Sequence, residues 1–64
     1  VSPREREVLA LIRRGRSNKE IGAALDVTED TVKRHVTHLL QKLGVQDRAA
    51  AVAEAIRVGL LEDG

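Results

Sequence analysis

The chain has 64 residues, a formal net charge of +1, and no Cys, Phe, Trp, Tyr or Met. A single domain is the sensible count at this length, and its core must consist of Leu, Ile, Val and Ala. The lack of cysteine excludes disulfides and thiolate metal sites, and the lack of aromatics argues against base stacking on single strands. No apolar run approaches the ~20 residues of a membrane span, so no membrane partner is expected.

The first predicted helix covers about residues 3–14. Ser2 suits the N-cap, Pro3 suits the first helical position, and Glu5 lies where a capping box places its acid. Capping is the only role that this pattern predicts for Glu5. Gly15 suits the end of the helix. Apolar residues recur at helical spacing between these limits, at Val8, Leu9, Leu11 and Ile12.

The second predicted helix is short and covers about residues 18–25. Ser17 and Glu20 repeat the capping-box pattern. A short turn follows, in which Asp26 is expected to have a positive φ, because Asp tolerates this conformation better than most residues. The apolar face of the helix consists of Ile21, Ala24 and Leu25.

The third predicted helix covers residues 29–43, with Thr28 as its N-cap and Gly44 after its last turn. One side is an apolar stripe of core-facing width, formed by Val32, Val36, Leu39, Leu40 and Leu43. The opposite side is polar, with Asp30, Arg34, Thr37, His38 and Gln41, and Lys33 lies on its flank. Such a face is typical of a solvated helix or of a helix that reads the major groove of DNA.

The fourth predicted helix covers about residues 48–58, with Asp47 as its N-cap and Gly59 at its end. Leu60 and Leu61 are expected to fold back as an apolar lid. The helix carries two neighbouring apolar stripes, one of Ala49, Val52 and Ile56 and the other of Ala51, Ala55 and Val58. One stripe can close the core while the other is left for a partner. The alternative is that the first helix, with Leu60 and Leu61, buries both stripes.

The spacing of the second and third helices is typical of a DNA-binding helix-turn-helix. That motif needs a short helix, a tight turn and a second helix that crosses at about 90–120°. Gly22 supplies a small residue where the helices touch, and close approach is a physical reason to accept a glycine inside a helix. A plain αα-hairpin in a four-helix domain is the alternative interpretation.

The chain resembles the LuxR/FixJ (GerE-type) helix-turn-helix family. The matching segments are SPREREVL, G-x-SNKEI, L-x-V-T-x-x-TVKRHV, L-x-KLGV and AxxVGLL, in that order. The resemblance covers essentially residues 1–64 and implies an all-α, four-helix domain. It also implies sequence-specific binding of double-stranded DNA in bacterial transcription regulation. Because the chain begins at Val1, without Met, on a helix cap, we expect it to be a fragment of a longer protein. The resemblance implies that it is the C-terminal output part of a response regulator or LuxR-like regulator.

The resemblance also implies which residues bind DNA. Lys33 would meet phosphate or a guanine edge, and Arg34 and Thr37 would face bases, with His38 beside them. The start of the second helix (Ser17, Asn18 and Lys19) and the threonines Thr28 and Thr31 would hold phosphate. Two residues depart from the family pattern. Gly22 replaces a more frequent alanine, and Asp30 places a carboxylate on the DNA-facing side, where it would repel phosphate or accept from a cytosine amino group.

Symmetric pairing through the fourth helix, by way of Val52 and Ile56, is a further expectation that the resemblance carries. RNA polymerase is a second expected partner, and the cytoplasm is the expected location. No cofactor is expected.

His35 and His38 lie three residues apart, but further metal ligands are lacking, so His35 is interpreted as a half-buried structural residue. No nucleophile–base arrangement is present, which makes an enzyme an unfavoured alternative. A protein-interaction module without DNA binding is the other.

Overall fold

The structure is a computed structural model, and it describes residues 1–62. It contains four α-helices, and the described residues contain no β-strand. The helices are α1 (Pro3–Arg13), α2 (Asn18–Leu25), α3 (Glu29–Leu43) and α4 (Arg48–Arg57). The predicted all-α class and element order are therefore confirmed. Asp63 and Gly64, the end of the predicted 1–64 domain, lie outside the described residues.

The two predicted capping boxes are present. At α1, the Ser2 hydroxyl accepts from the Glu5 amide at 3.2 Å, and the Glu5 carboxylate accepts from the Ser2 amide at 2.9 Å. At α2, the Ser17 hydroxyl and the Glu20 carboxylate make the same reciprocal bonds, at 3.1 and 2.8 Å. Each box satisfies amide groups that the first turn of a helix leaves without a partner.

Single side chains cap the other two helices, as predicted. The Thr28 hydroxyl accepts from the Thr31 amide at 3.1 Å at the start of α3. The Asp47 carboxylate accepts from the Ala50 amide at 2.8 Å at the start of α4. Local sequence therefore sets where each of the four helices begins.

Two of the predicted helix ends were too late by one residue. α1 ends at Arg13 and α4 ends at Arg57, whereas 14 and 58 were predicted. Arg14 and Val58 are C-cap residues with ψ near zero (0° and 4°). Each precedes a glycine with a positive φ. The residue before such a glycine is the C-cap, so the helix ends one residue earlier.

α3 contacts each of the other three helices, as α1 also does, and the contacts of α3 are the more extensive. Its predicted apolar stripe is confirmed, since Leu40 and Leu43 pack half-buried against the core that the other three stripe residues enter. All four helices contribute to this core, which contains Val8, Leu9, Ile12, Ile21, Val32, Val36, Leu39, Ala51 and Ala55. The polar side of α3 consequently faces outward. No helix among residues 1–62 combines the length and the apolar character needed to cross a bilayer.

The core side of α4 is formed by Ala51 and Ala55, which are fully buried. Val58 was grouped with them, and this part of the prediction was wrong. Val58 is 49% exposed, because the helix ends before it and its backbone no longer follows the helical register. Leu60 and Leu61 form the predicted lid: both are half-buried against the core, and both amides donate to the Ala55 carbonyl, at 2.7 and 3.2 Å.

An ion pair joins the start of α1 to the end of α3. The Lys42 ammonium donates to the Glu5 carboxylate at 2.8 Å, and the Glu5 side chain is only 5% exposed. The hydrogen bond from Lys42, followed by that from the Ser2 amide, lowers the pKa of Glu5 to about 2. The sequence pattern predicted capping as the only role of Glu5, and this prediction was incomplete. The carboxylate also ties the far end of α3 to α1.

Replacing Glu5 with glutamine should destabilise the domain at neutral pH by about 1–3 kcal/mol, the scale of a lost charged hydrogen bond. The pKa of Glu5 is depressed in the folded state, from 4.5 to about 2. Its contribution is therefore complete above pH 4.5 and is lost as the pH falls towards 2. Urea unfolding between pH 2 and 7 measures this difference.

Glu7→Gln is the matched control, because Glu7 is exposed and lies 3.8 Å from its partner Arg4. This variant should lose well under ~1 kcal/mol. A Glu5→Gln cost that stayed the same at pH 2 and pH 7 would contradict the assigned role of the ion pair.

Candidate nucleic-acid interface

The turn between α2 and α3 brings two helices together at Gly22. Asp26 has φ 59° and ψ 45°, the left-handed conformation that was predicted for it. The Val27 amide donates to the Gly22 carbonyl at 2.9 Å, which folds the turn back onto α2. A Cβ atom at Gly22 would lie 2.8 Å from the Val27 carbonyl oxygen. The predicted role of Gly22 as the small contact residue is therefore confirmed.

Gly22→Val should lower the free energy of unfolding by about 1–3 kcal/mol, because the added side chain would push the turn away from α2. Ala23→Val is the matched control, since Ala23 is the next residue of the same helix and is exposed. Its expected cost is the helix-propensity term alone, below about 1 kcal/mol. Chemical denaturation of the two variants provides the comparison, and equal losses would refute the close-approach argument.

Most side chains on the outer face of α3 make no hydrogen bond or ion pair with other described residues. Arg34 and His38 are exposed and make no hydrogen bond or ion pair with any described residue. Asp30 and Gln41 share the same face and are likewise exposed without such partners. Lys33 is exposed at the flank. The structure therefore places the predicted base-facing side chains together on one accessible surface.

Thr37 presents its methyl group rather than its hydroxyl proton. The hydroxyl donates to the Lys33 carbonyl one turn earlier, at 3.0 Å. This bond commits the proton to the helix backbone, so the exposed side chain offers a methyl group and oxygen lone pairs. An apolar contact with a thymine methyl is the contact that such a threonine makes in the major groove.

The two threonines at the start of α3 form a small hydroxyl pair. The Thr28 and Thr31 oxygens lie 2.9 Å apart, and either one can donate to the other. Because this bond uses one of the two hydroxyl protons, only one proton of the pair remains for an external acceptor. The Thr28 oxygen also accepts from the Thr31 amide. Thr28 is exposed and Thr31 is half-buried, so the predicted phosphate contact falls mainly to Thr28.

The start of α2 offers two backbone amides to an anion. The amides of Glu20 and Ile21 bond to the Ser17 hydroxyl and carbonyl, at 3.1 and 2.8 Å. The amides of Asn18 and Lys19 have no hydrogen-bond partner among the described residues. Ser17 therefore acts through its cap, and Lys19 adds an exposed cation beside the free amides.

The start of α3 is less suited to a phosphate than the start of α2. The first turn of α3 carries two acids, Glu29 and Asp30, which oppose a second negative charge. The first turn of α2 carries only Glu20, whose carboxylate is bound by the Ser17 amide. The hydrogen bonds from Ser17, backbone first, lower the pKa of Glu20. Lys19 and the free amides therefore make the start of α2 better suited than the start of α3 to bind an anion.

The predicted Asn18 contact is altered by a residue that sequence reasoning missed. The Arg48 guanidinium, at the start of α4, donates to the Asn18 side-chain oxygen at 2.5 Å and to the Arg16 carbonyl at 2.8 Å. Asn18 therefore presents its backbone amide outward while its side-chain oxygen is engaged. Arg48 lies 30 residues from Asn18, and no local sequence pattern predicts the contact.

The two histidines occupy different environments. His35 is half-buried at the edge of the core face, as predicted, whereas His38 is exposed on the polar face. Their separation on the helix places one beside the core and the other beside Arg34. His38 is therefore the histidine available to an external partner.

A family profile described as "Bacterial regulatory proteins, luxR family" matches residues 1–55. The chain belongs to this family. It is a LuxR-type helix-turn-helix domain of transcriptional regulators, and the resemblance drawn from the sequence motifs is confirmed.

Several curated relatives are similar over nearly the whole chain. The "Probable transcriptional regulatory protein NarL" of Mycobacterium tuberculosis (strain ATCC 25618 / H37Rv) is 58% identical over 62 residues, which are 97% of this chain and 29% of that protein. The "Response regulator protein VraR" of Staphylococcus aureus (strain NCTC 8325 / PS 47) is 47% identical over 97% of this chain and 30% of its own length. The chain thus spans less than a third of these two relatives.

The "Spore germination protein GerE" of Bacillus subtilis (strain 168) is 44% identical over 62 residues, and the match covers 97% of this chain and 84% of GerE. A solved structure of "Transcription factor, GerE" superposes with a TM-score of 0.91 at 40% identity, over 97% of this chain and 92% of that chain. The "Response Regulator ChrA in Heme-Sensing Two Component System" gives the same TM-score at 42% identity, over 94% and 30%. The four-helix arrangement is shared with both.

Proposed function

We propose that this domain binds double-stranded DNA sequence-specifically, with α3 in the major groove, and thereby regulates transcription. The observation that carries the proposal is the exposed face of α3, where the side chains of Arg34 and His38 have no hydrogen-bond or ion-pair partner among residues 1–62. The opposite face of the same helix is buried against the other three helices. A helix held in this way presents side chains at fixed positions, which base recognition requires.

Base recognition would rest on Arg34 and Thr37. An arginine pairs with the O6 and N7 atoms of guanine through two hydrogen bonds, and the Thr37 methyl group suits a thymine methyl. Lys33, at the flank, would contact phosphate or a guanine edge, and His38 would lie beside Arg34. Asp30, on the same face, would alter site preference in one of two ways: by repelling phosphate or by accepting from a cytosine amino group.

Backbone contacts would fix the domain in register on the duplex. Lys19 and the free amides of Asn18 and Lys19 offer one charge and two donors to a phosphate. Ser17 supports this contact by capping α2. Thr28, with its partner Thr31, would donate one hydroxyl proton to a second phosphate.

The domain would pair through α4 on a palindromic site. Val52 and Ile56 are half-buried, and Ala49 and Ala53, on the same side of α4, are exposed. Val52 also packs against the core, whereas Ile56 is not among the residues that do so in the described part of the chain. A symmetric pair would place two copies of α3 about one DNA turn, roughly 34 Å, apart.

The domain would act as the output part of a longer regulator. This inference rests on the NarL and VraR relatives, of which the chain spans 29% and 30%. A preceding domain would control pairing or the accessibility of α3, as in a two-component response regulator. The bound domain would contact RNA polymerase in the cytoplasm, and its function would be binding rather than catalysis.

Arg34→Ala and Lys19→Ala should weaken DNA binding in different ways. Loss of Arg34 should relax base preference at one half-site position, by about 1–3 kcal/mol of discrimination.

Loss of Lys19 should weaken binding to all sequences alike and reduce the slope of log affinity against log salt by about 0.9. Selection from randomised duplexes, with salt titration of the selected site, measures both effects.

Arg57→Ala is the control for loss of charge, since Arg57 is exposed near the end of α4 and pairs with Glu54 on its own helix. An unchanged base preference in Arg34→Ala would remove Arg34 from base recognition. If the wild-type domain showed no salt-dependent affinity for duplex DNA, the proposed function would be wrong and an interaction module would be favoured instead.

Ile56→Glu should prevent cooperative binding of two copies to a palindromic duplex while leaving the monomer folded. A carboxylate at the centre of an apolar contact costs free energy unless it is paired. Val58→Glu is the matched control, because Val58 is 49% exposed and lies outside the α4 stripe. Analytical ultracentrifugation on the duplex, with thermal unfolding of the free domain, separates the outcomes. A dimer that survives Ile56→Glu would contradict pairing through this face.

A further inference from the structure

Arg48 connects the proposed pairing helix with the start of the helix that anchors the DNA backbone. It is the first residue of α4, and its guanidinium reaches the segment that leads into α2. One nitrogen donates to the Asn18 side chain at 2.5 Å, and the other donates to the Arg16 carbonyl at 2.8 Å. Arg48 is half-buried, and its bond to Asn18 is partly buried, whereas its bond to the Arg16 carbonyl is exposed.

The position of Arg48 is not explained by the needs of its own helix. A cation in the first turn opposes the helix dipole, at a cost of about 0.3–1 kcal/mol. α4 has no acid in its first turn to offset the charge, and its N-cap Asp47 is engaged with the Ala50 amide. The bonds to Asn18 and Arg16 are therefore the contacts that give this arginine a role.

The segment that Arg48 holds has little other long-range support. Gly15 has φ 81°, and the amides of Gly15 and Arg16 bond back to α1, to the carbonyls of Ile12 and Leu11. The carbonyl of Arg16 accepts from Arg48 and from no other described residue. Arg48 thus restrains the chain immediately before the two free amides at the start of α2.

We propose that Arg48 is a positioning residue for DNA backbone binding, which holds the Asn18 and Lys19 amides in place to bind phosphate. The inference rests on the proposed function. Arg48 acts through the backbone of α2 rather than as one more positive charge beside the DNA. The paired donors match the two acceptors, a side-chain oxygen and a carbonyl two residues apart, and a lysine cannot reproduce that fork.

Arg48→Met and Arg48→Lys provide the test, with binding measured on a duplex that contains a single half-site so that pairing through α4 does not contribute. Arg48→Met removes the donors, and Arg48→Lys keeps the charge but loses the fork. Both variants should bind about tenfold more weakly than the wild type, the factor that corresponds to one charged hydrogen bond. Wild-type affinity in Arg48→Lys would show that charge alone is needed and would overturn the proposal.

A double-mutant cycle with Lys19→Ala separates positioning from direct contact. If Arg48 positions the start of α2, the loss caused by Lys19→Ala should shrink from about fivefold in the wild type to about twofold in Arg48→Met. Independent contacts would give losses that multiply, and that result would overturn the proposal. Arg57→Met is the matched control: it removes an arginine of the same helix whose partner, Glu54, lies on that helix.

Amide hydrogen exchange in the DNA-free domain tests the bridge separately from DNA binding. The Ile21 amide, which bonds to the Ser17 carbonyl, should exchange severalfold faster in Arg48→Met than in the wild type. The Val32 amide of α3 should not change, and neither amide should change in Arg57→Met. Unaltered Ile21 exchange would overturn the positioning role. If the wild-type domain did not bind duplex DNA, the proposed function would fail together with the role for DNA, although the exchange data would still reveal the bridge.

Discussion

The burial of one side of α3 is the interaction on which the rest of the molecule depends. Its side chains Val32 and Leu39 are fully buried among residues from the other three helices. Each large apolar side chain buried in this way contributes about 1.5–3 kcal/mol. A small core without aromatic residues has few such contributions, so the orientation of α3 is specified by the same contacts that keep the domain folded. The polar side of α3 is presented as a consequence of that packing.

Local signals predicted most of this fold because the relevant physics acts over three or four residues. Ser2 with Glu5, and Ser17 with Glu20, announce helix starts within one turn, and the positive φ of Asp26 follows from its place in a tight turn. The exposed face of α3 follows from helical periodicity alone. The ends of α1 and α4 were predicted one residue too late, because the residue before each left-handed glycine was counted as helical although it is the C-cap.

Long-range polar contacts could not be predicted in the same way. Lys42 and Glu5 are 37 residues apart, and Arg48 and Asn18 are 30 residues apart. Nothing in a local pattern distinguishes these cations from the exposed arginines and lysines around them. Their partners become apparent only when four helices are packed. The interface is therefore predictable as a helical face, whereas the supports beneath it require the structure.

These two supports explain how a domain with a net charge of only +1 can place its interface accurately. Lys42 fastens the far end of α3 to α1, and Arg48 fastens the approach to α2 to α4. Both cations are thereby engaged by other groups of the protein, whereas Arg34 and Lys19 are exposed and have no hydrogen-bond or ion-pair partner among residues 1–62. Lys42 and Arg48 thus stabilise the packing of the helices, whereas Arg34 and Lys19 are available to bind an external partner. For recognition, the location of the unpaired cations matters more than the total charge, because only these can exchange water and salt ions for phosphates or bases.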